Sequence, residues 1–212
     1  MPSSLSRDRI QANGAPTVRT PAGSARTHPR RSRDRSFRTT IGWMIRPILR
    51  YGDDVLHRPA VDVDAITPLV DSLIDDMIDT MYAASGVGLA APQIGVPLRV
   101  FVADPSSGHE SGALVVMVNP TFVERDGLQR EDEGCLSVPG FNAAVPRPSR
   151  AVMRGLDRDG ASRDVEATGI LARAFDHEMD HLDGSLFLDR LRGIRREMML
   201  RKLNKLRRSG KW

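Results

Sequence analysis

The sequence predicts an α+β fold, a small single domain in which antiparallel strands surround a buried helix and a further helix closes the chain. Three observations predict it. Apolar residues recur at helical spacing between positions 70 and 81, short strand-like runs crowd the stretch from 98 to 167, and two more helical periods follow. Helices gathered at both ends of a strand-rich middle do not build alternating βαβ units.

Globular patterning begins at Met44. Thr67 and Pro68 supply an N-cap and a proline at the first helical position. Val70, Leu73, Ile74, Met77, Ile78 and Met81 then trace one buried face, with Asp71, Asp75, Asp76 and Asp79 on the other. Strands are expected at 98–103, 114–118, 121–124, 151–156 and 163–167. The last two flank Asp157-Arg158-Asp159-Gly160, a hairpin turn signal. A second helix is expected over about 170–182, capped near Gly184. A third is expected over 194–208, with Leu191, Ile194, Met198, Met199, Leu203 and Leu206 as its apolar stripe.

Charge divides the chain more sharply than its net +4 suggests. Residues 1–43 hold nine Arg and two Asp, and residues 191–212 hold nine Lys and Arg with one Glu, which leaves the middle at −11. An acidic globule with two basic ends points to a tail or terminal helix meeting a polyanion, not to a basic cleft. The first 43 residues are rich in Ser, Thr, Pro and Arg and show no period, as expected of a disordered basic extension. That extension reads either as an organellar leader or, more plainly, as sequence upstream of a start at Met44. A single cysteine excludes a disulfide framework. No run nears the ~20 apolar residues of a membrane helix, so a soluble, cytoplasmic protein is expected.

The strongest chemical signal is His177-Glu178-Met179-Asp180-His181. Imidazoles four residues apart leave one helix face together and can meet one metal ion, and Glu178 can serve as general acid/base on a water there. A catalytic site of this kind needs a third protein ligand. No histidine or cysteine follows His181, and Glu197 lies in a basic helix. Upstream, Cys135 sits in the loop Glu133-Gly134-Cys135-Leu136-Ser137-Val138-Pro139-Gly140. A third segment, Gly86 to Gly95, opens like a dinucleotide fingerprint. It follows a helix instead of a strand, and Pro92 breaks what comes after, so it reads as a glycine-rich loop with Gln93 as its polar side chain.

G-V-G-L-A-A-P-Q-I-G, E-G-C-L-S-V-P-G and H-E-M-D-H-L-D-G, in this order, resemble the three signature motifs of the peptide deformylase family. The resemblance covers about Met44 to the C-terminus. It implies Cys135, His177 and His181 as metal ligands and Glu178 as the acid/base. It also implies Gln93 and the Leu136 N–H as oxyanion donors, and Val87, Gly88, Gly134, Ile170 and Ala174 around the substrate. The implied cofactor is one divalent ion, Fe²⁺ first and Zn²⁺ or another as substitute. The implied reaction removes the formyl group from N-formylmethionyl nascent peptides, releasing formate. The basic end at 194–208 is expected to meet the ribosome, and neither membrane nor DNA is an expected partner. Two positions depart from the family pattern. Asp176 stands where Gln is common, either as an acceptor for a ligand imidazole or as a surface group. Asn142 stands where many relatives carry Arg, while Arg147 matches. The alternatives are a zincin-type endopeptidase, which would take a downstream acidic or imidazole third ligand, and a ribosome-associated protein with a closed structural metal.

Overall fold

The computed structural model describes residues 44–212, so the expectation for residues 1–43 lies outside the described residues. Helix α1 spans Pro68–Ala83, and the Thr67 hydroxyl accepts a hydrogen bond from Val70 N–H, so the cap forms where expected. The strands follow as β1 (Gly88–Ala90), β2 (Val100–Ala103), β3 (Val115–Asp126), β4 (Asp132–Gly134), β5 (Asn142–Ala144), β6 (Arg150–Leu156) and β7 (Ser162–Thr168). Helices α2 (Gly169–Leu182), α3 (Phe187–Arg190) and α4 (Gly193–Arg208) complete the chain. Five strands form one antiparallel sheet in the order β1-β2-β3-β6-β7, and β4 pairs with β5 alone.

Strand alternation decides which helix covers which face. Along β2, Phe101 and Ala103 turn toward Phe175, Met179 and Leu182 of α2, while Val100 and Val102 turn toward Leu73, Ile74, Met77 and Met81 of α1. The sheet is therefore covered by a helix on each face, which is why β2 is wholly buried. The Phe101 and Phe175 rings pack 5.5 Å apart. A third apolar cluster joins Leu56, Val138, Phe141, Phe187 and Leu188 to Leu203 of α4. Trp212 packs on Phe141 and donates to the Tyr51 carbonyl at 3.0 Å, tying down the C-terminus.

Several elements differ from expectation for identifiable reasons. The strands expected at 114–118 and 121–124 are one strand, β3, bent by an irregularity after Val118. Asn119 there takes a left-handed φ of 52°, and its amide brackets Val63 N–H and C=O at 2.8 and 2.9 Å. The segment from Gly86 to Gly95 is not all loop, since it contains β1 and a 3₁₀ turn, Ala91–Ile94. Asp76 is not on an open face: it is buried beneath Arg46, whose Nη2 lies 2.8 Å away. The stripe of α4 is narrower than its spacing suggests. Leu203 is fully buried, but Ile194 and Met198 are exposed.

Candidate active site

The histidine helix is buried from Ala174 to Leu182, an uncommon setting for Asp176, His177, Glu178, Asp180 and His181 unless each has a partner or a ligand. His177 and His181 leave one face with ring centroids 5.1 Å apart. The β4–β5 pair brings the third group. Gly134 lies opposite Asn142, the chain turns with Val138 N–H bonded to the Cys135 carbonyl at 2.9 Å, and Cys135 arrives against α2. Its Sγ stands 3.1 Å from His181 Nε2. Ligand atoms of Cys135, His177 and His181 all lie within 4.8 Å of one another.

This donor set fits a divalent cation. Ligands about 2.0–2.3 Å from a tetrahedral ion stand roughly 3.3–3.8 Å apart, and here one pair stands at 3.1 Å with all three atoms within 4.8 Å. One soft sulfur with two imidazoles suits iron or zinc. His177 Nδ1 lies 3.0 Å from Glu133 Oε1, so its Nε2 is the nitrogen left to coordinate. Glu197, the downstream acid an endopeptidase would need, is exposed on α4 and faces Arg201, so it supplies no ligand.

Glu133 is the residue that sequence reasoning missed. Burial would raise its carboxyl, but the bonds from His177 and Arg147 hold it down at about 2. Arg147 is fully buried and donates to Glu133 Oε1 and Oε2 at 2.6 and 3.0 Å, to Asp176 at 2.8 Å and to Asp180 at 2.7 Å. Arg190 and Arg125 add positive charge from the rim, Arg190 against Asp180 and Arg125 at 3.5 Å from Asp176. Asp176 is therefore neither a surface group nor the imidazole's acceptor. It is a buried partner of Arg147, and Glu133 holds the ring.

Glu178 stands beside the trio. Burial pushes its carboxyl up to about 7 against the pull of His177, and its Oε2 has no hydrogen-bond partner. That pKa lies near the value at which a group both takes and returns protons well. Gln93 is 2% exposed, and Ala90 N–H fixes its Oε1 at 2.8 Å. Its amide nitrogen then points at Ser137 Oγ, 3.3 Å away, and at Cys135 Sγ, 3.7 Å away. Ser137 was not singled out from the sequence. Leu136 heads the turn after Cys135, and its N–H has no backbone acceptor among the described residues. A cleft of about 400 Å³ opens onto these groups, and Val87, Gly88, Gly134, Ile170 and Ala174 all line it. Asn142, exposed and opposite Gly134, is not on its wall.

The family model described as polypeptide deformylase matches residues 45–197. The peptide deformylase of Acidobacterium capsulatum is 42% identical over 169 residues, covering 80% of this chain and 99% of that one. The "Peptide deformylase 2" of Xanthomonas campestris is 48% identical over 164 residues, 76% of this chain and 95% of that one. Among solved structures, a peptide deformylase from Legionella pneumophila superposes with a TM-score of 0.73 at 42% identity, covering 79% of this chain and 98% of its own. One from Thermus thermophilus gives 0.70 at 42% identity, over 76% and 94%.

Proposed function

The chain belongs to the peptide deformylase family, metal-dependent hydrolases that remove the N-terminal formyl group from nascent polypeptides, and on that premise we propose that Cys135, His177 and His181 hold the cation while Glu178 moves the proton. The observation that carries this assignment is the meeting of one sulfur and two imidazoles within 4.8 Å, beside a buried carboxyl oxygen with no partner. Fe²⁺ is the proposed resident ion and Zn²⁺ its substitute, since a Cys-His-His set accepts either. When bound, the ion supplies a Lewis acid that acidifies water and draws charge from the formyl oxygen.

The protein's own groups do the rest. Glu178 Oε2 accepts the proton of the attacking water and returns it to the α-amine as formate leaves. The Gln93 amide and the Leu136 N–H donate to the oxygen that gains charge, and Gln93 is locked for this by Ala90 N–H at 2.8 Å. Glu133 positions His177, and Arg147 positions Glu133. The methionine side chain enters beside Val87, Ile170 and Ala174, with Gly88 and Gly134 letting the peptide backbone approach closely.

The basic face of α4 is proposed to meet the ribosome. Leu203 docks the helix, while Arg195, Arg201, Lys202, Lys205, Arg207 and Arg208 stay exposed. A cytoplasmic setting follows from that partner. Among the described residues no helix is long and apolar enough to cross a membrane. Residues 44–212 carry every proposed site residue and constitute the catalytic domain in this reading. Formate release from formyl-Met-Ala-Ser by protein loaded with iron under anaerobic conditions tests the assignment. Turnover in the wild type and its loss in Glu178→Gln with metal retained support it. Undiminished turnover in Glu178→Gln removes Glu178 from the reaction.

A further inference from the structure

Among the described residues three buried side-chain atoms lack a hydrogen-bond partner: Glu178 Oε2, His181 Nδ1 and Arg173 Nη1. All three belong to α2. Glu178 and His181 already have parts in the reaction, and Arg173 has none. A buried guanidinium N–H without an acceptor is costly and calls for an explanation, of which a ligand is one. Arg173 lines the same cleft as the catalytic groups. Three acids share that wall: Glu178 has its part in the reaction and makes no ion pair with Arg173, Glu133 is committed to Arg147 and His177, and Asp132 is exposed on β4. The cleft thus presents a cation with no ion-pair partner among the described residues.

Its position along the helix says what could reach it. Arg173 stands four residues before His177, one turn away on the same face, about 6 Å along the axis. Helical side chains lean toward the N-terminus, which carries the guanidinium farther from the proposed metal ligands. An extended peptide advances about 3.3 Å per residue. For a chain held by its formyl end, with its methionine side chain turned aside into the pocket and its backbone running along α2 toward the helix N-terminus, the guanidinium stands at roughly the second or third residue.

We propose that Arg173 is a specificity-determining residue that recognises an acidic side chain on the second or third residue of the formylated chain. The proposal rests on the deformylase assignment above. A carboxylate is the group that best matches the planar fork of donors, and it accepts two charge-assisted bonds where a carbonyl accepts a weaker one. A lysine at the same place meets like charge in a confined cleft.

The test measures formate release by the metal-loaded wild type from formyl-Met peptides carrying Glu, Gln or Lys, first at position two and then at position three. At one of these positions kcat/KM is expected to be about tenfold higher for Glu than for Gln, and lowest for Lys, with the difference carried by KM. High salt is expected to narrow it. Arg173→Gln is expected to level the series, and Arg173→Glu to turn the preference toward Lys, a result that lost structure does not produce. Equal kcat/KM for Glu and Gln at both positions in the wild type, or a Glu preference that survives in Arg173→Gln, overturns the proposal. Formate from every wild-type peptide leaves the deformylase assignment standing in either case. Formate from none overturns that assignment and this proposal together.

Discussion

A Cβ placed on Gly88 would stand 2.9 Å from Cδ of Glu178 and closer still to its Oε1. Gly88 lies in β1 with no positive φ, so alanine suits its backbone and the conflict is with the carboxyl alone. The end of a glutamate side chain can yield where a backbone cannot. Gly88→Ala is therefore expected to fold, with Glu178 displaced. A displacement near 1 Å costs turnover roughly a hundredfold. Steady-state kinetics beside a thermal melt would check this, and kcat near the wild-type value would show that the close approach is incidental.

Arg147 is the one fully buried cation facing Glu133, Asp176 and Asp180 among the described residues. Arg147→Met leaves Asp180 to Arg190, Asp176 to Arg125, and Glu133 with His177 alone. The expected loss is about 3–5 kcal/mol, the cost of stripping one partner from a buried ion pair. Denaturant unfolding of the zinc-loaded protein measures it. A loss below about 1 kcal/mol, the scale of an exposed pair, would contradict the account.

The Asp104 carboxylate accepts from Ser106 N–H and Oγ at 2.8 and 2.6 Å, from Tyr82 OH at 2.7 Å and from Gly108 N–H at 3.0 Å. Burial pushes its carboxyl up, but the bonds from Ser106, Tyr82 and Gly108 win and hold it below the ordinary 3.8. A pKa lowered by folding stabilises the folded state in full above the unfolded value, and this is lost as pH falls through the folded one. Asp104→Asn should thus be less stable than wild type by about 1.5–3 kcal/mol at pH 7, with the gap closing below pH 3.8. Melts of both proteins across that range would show it, and a gap independent of pH would assign the effect to packing instead.

Reversing Arg201, Lys205 and Arg208 to Glu leaves Leu203 in place, so the helix stays docked while its outer charge inverts. Co-sedimentation with ribosomes is expected to fall in the variant. In the wild type it should weaken with salt, by about 0.7–0.9 in log–log slope per phosphate neutralised. Binding equal in both proteins would remove α4 from the ribosome contact.

What could be read from the sequence follows from the range of each interaction. Helix α1 was legible because Thr67, Pro68 and a repeating apolar face act within a few turns. His177 and His181 were legible because four residues of helix fix their relative direction. Strands β1, β4 and β5 were not, since three residues cannot display an alternation and β1 and β4 each carry a glycine. The Glu133–Arg147 pair was hidden because its members are fourteen residues apart and meet only once β4 and β5 have paired. Glu133 does sit inside the cysteine motif, two residues before Cys135, which is the signal that could have found it. Asp176 and Arg173 resemble solvated charges on any helix, and only the burial of α2 gives them meaning.

X-ray absorption at the metal edge of the zinc-loaded protein tests the proposed ligand set most directly. The account predicts one sulfur at about 2.3 Å and two imidazole nitrogens at about 2.0–2.1 Å, with the sulfur shell absent in Cys135→Ser. A first shell of nitrogen and oxygen alone in the wild type would contradict it.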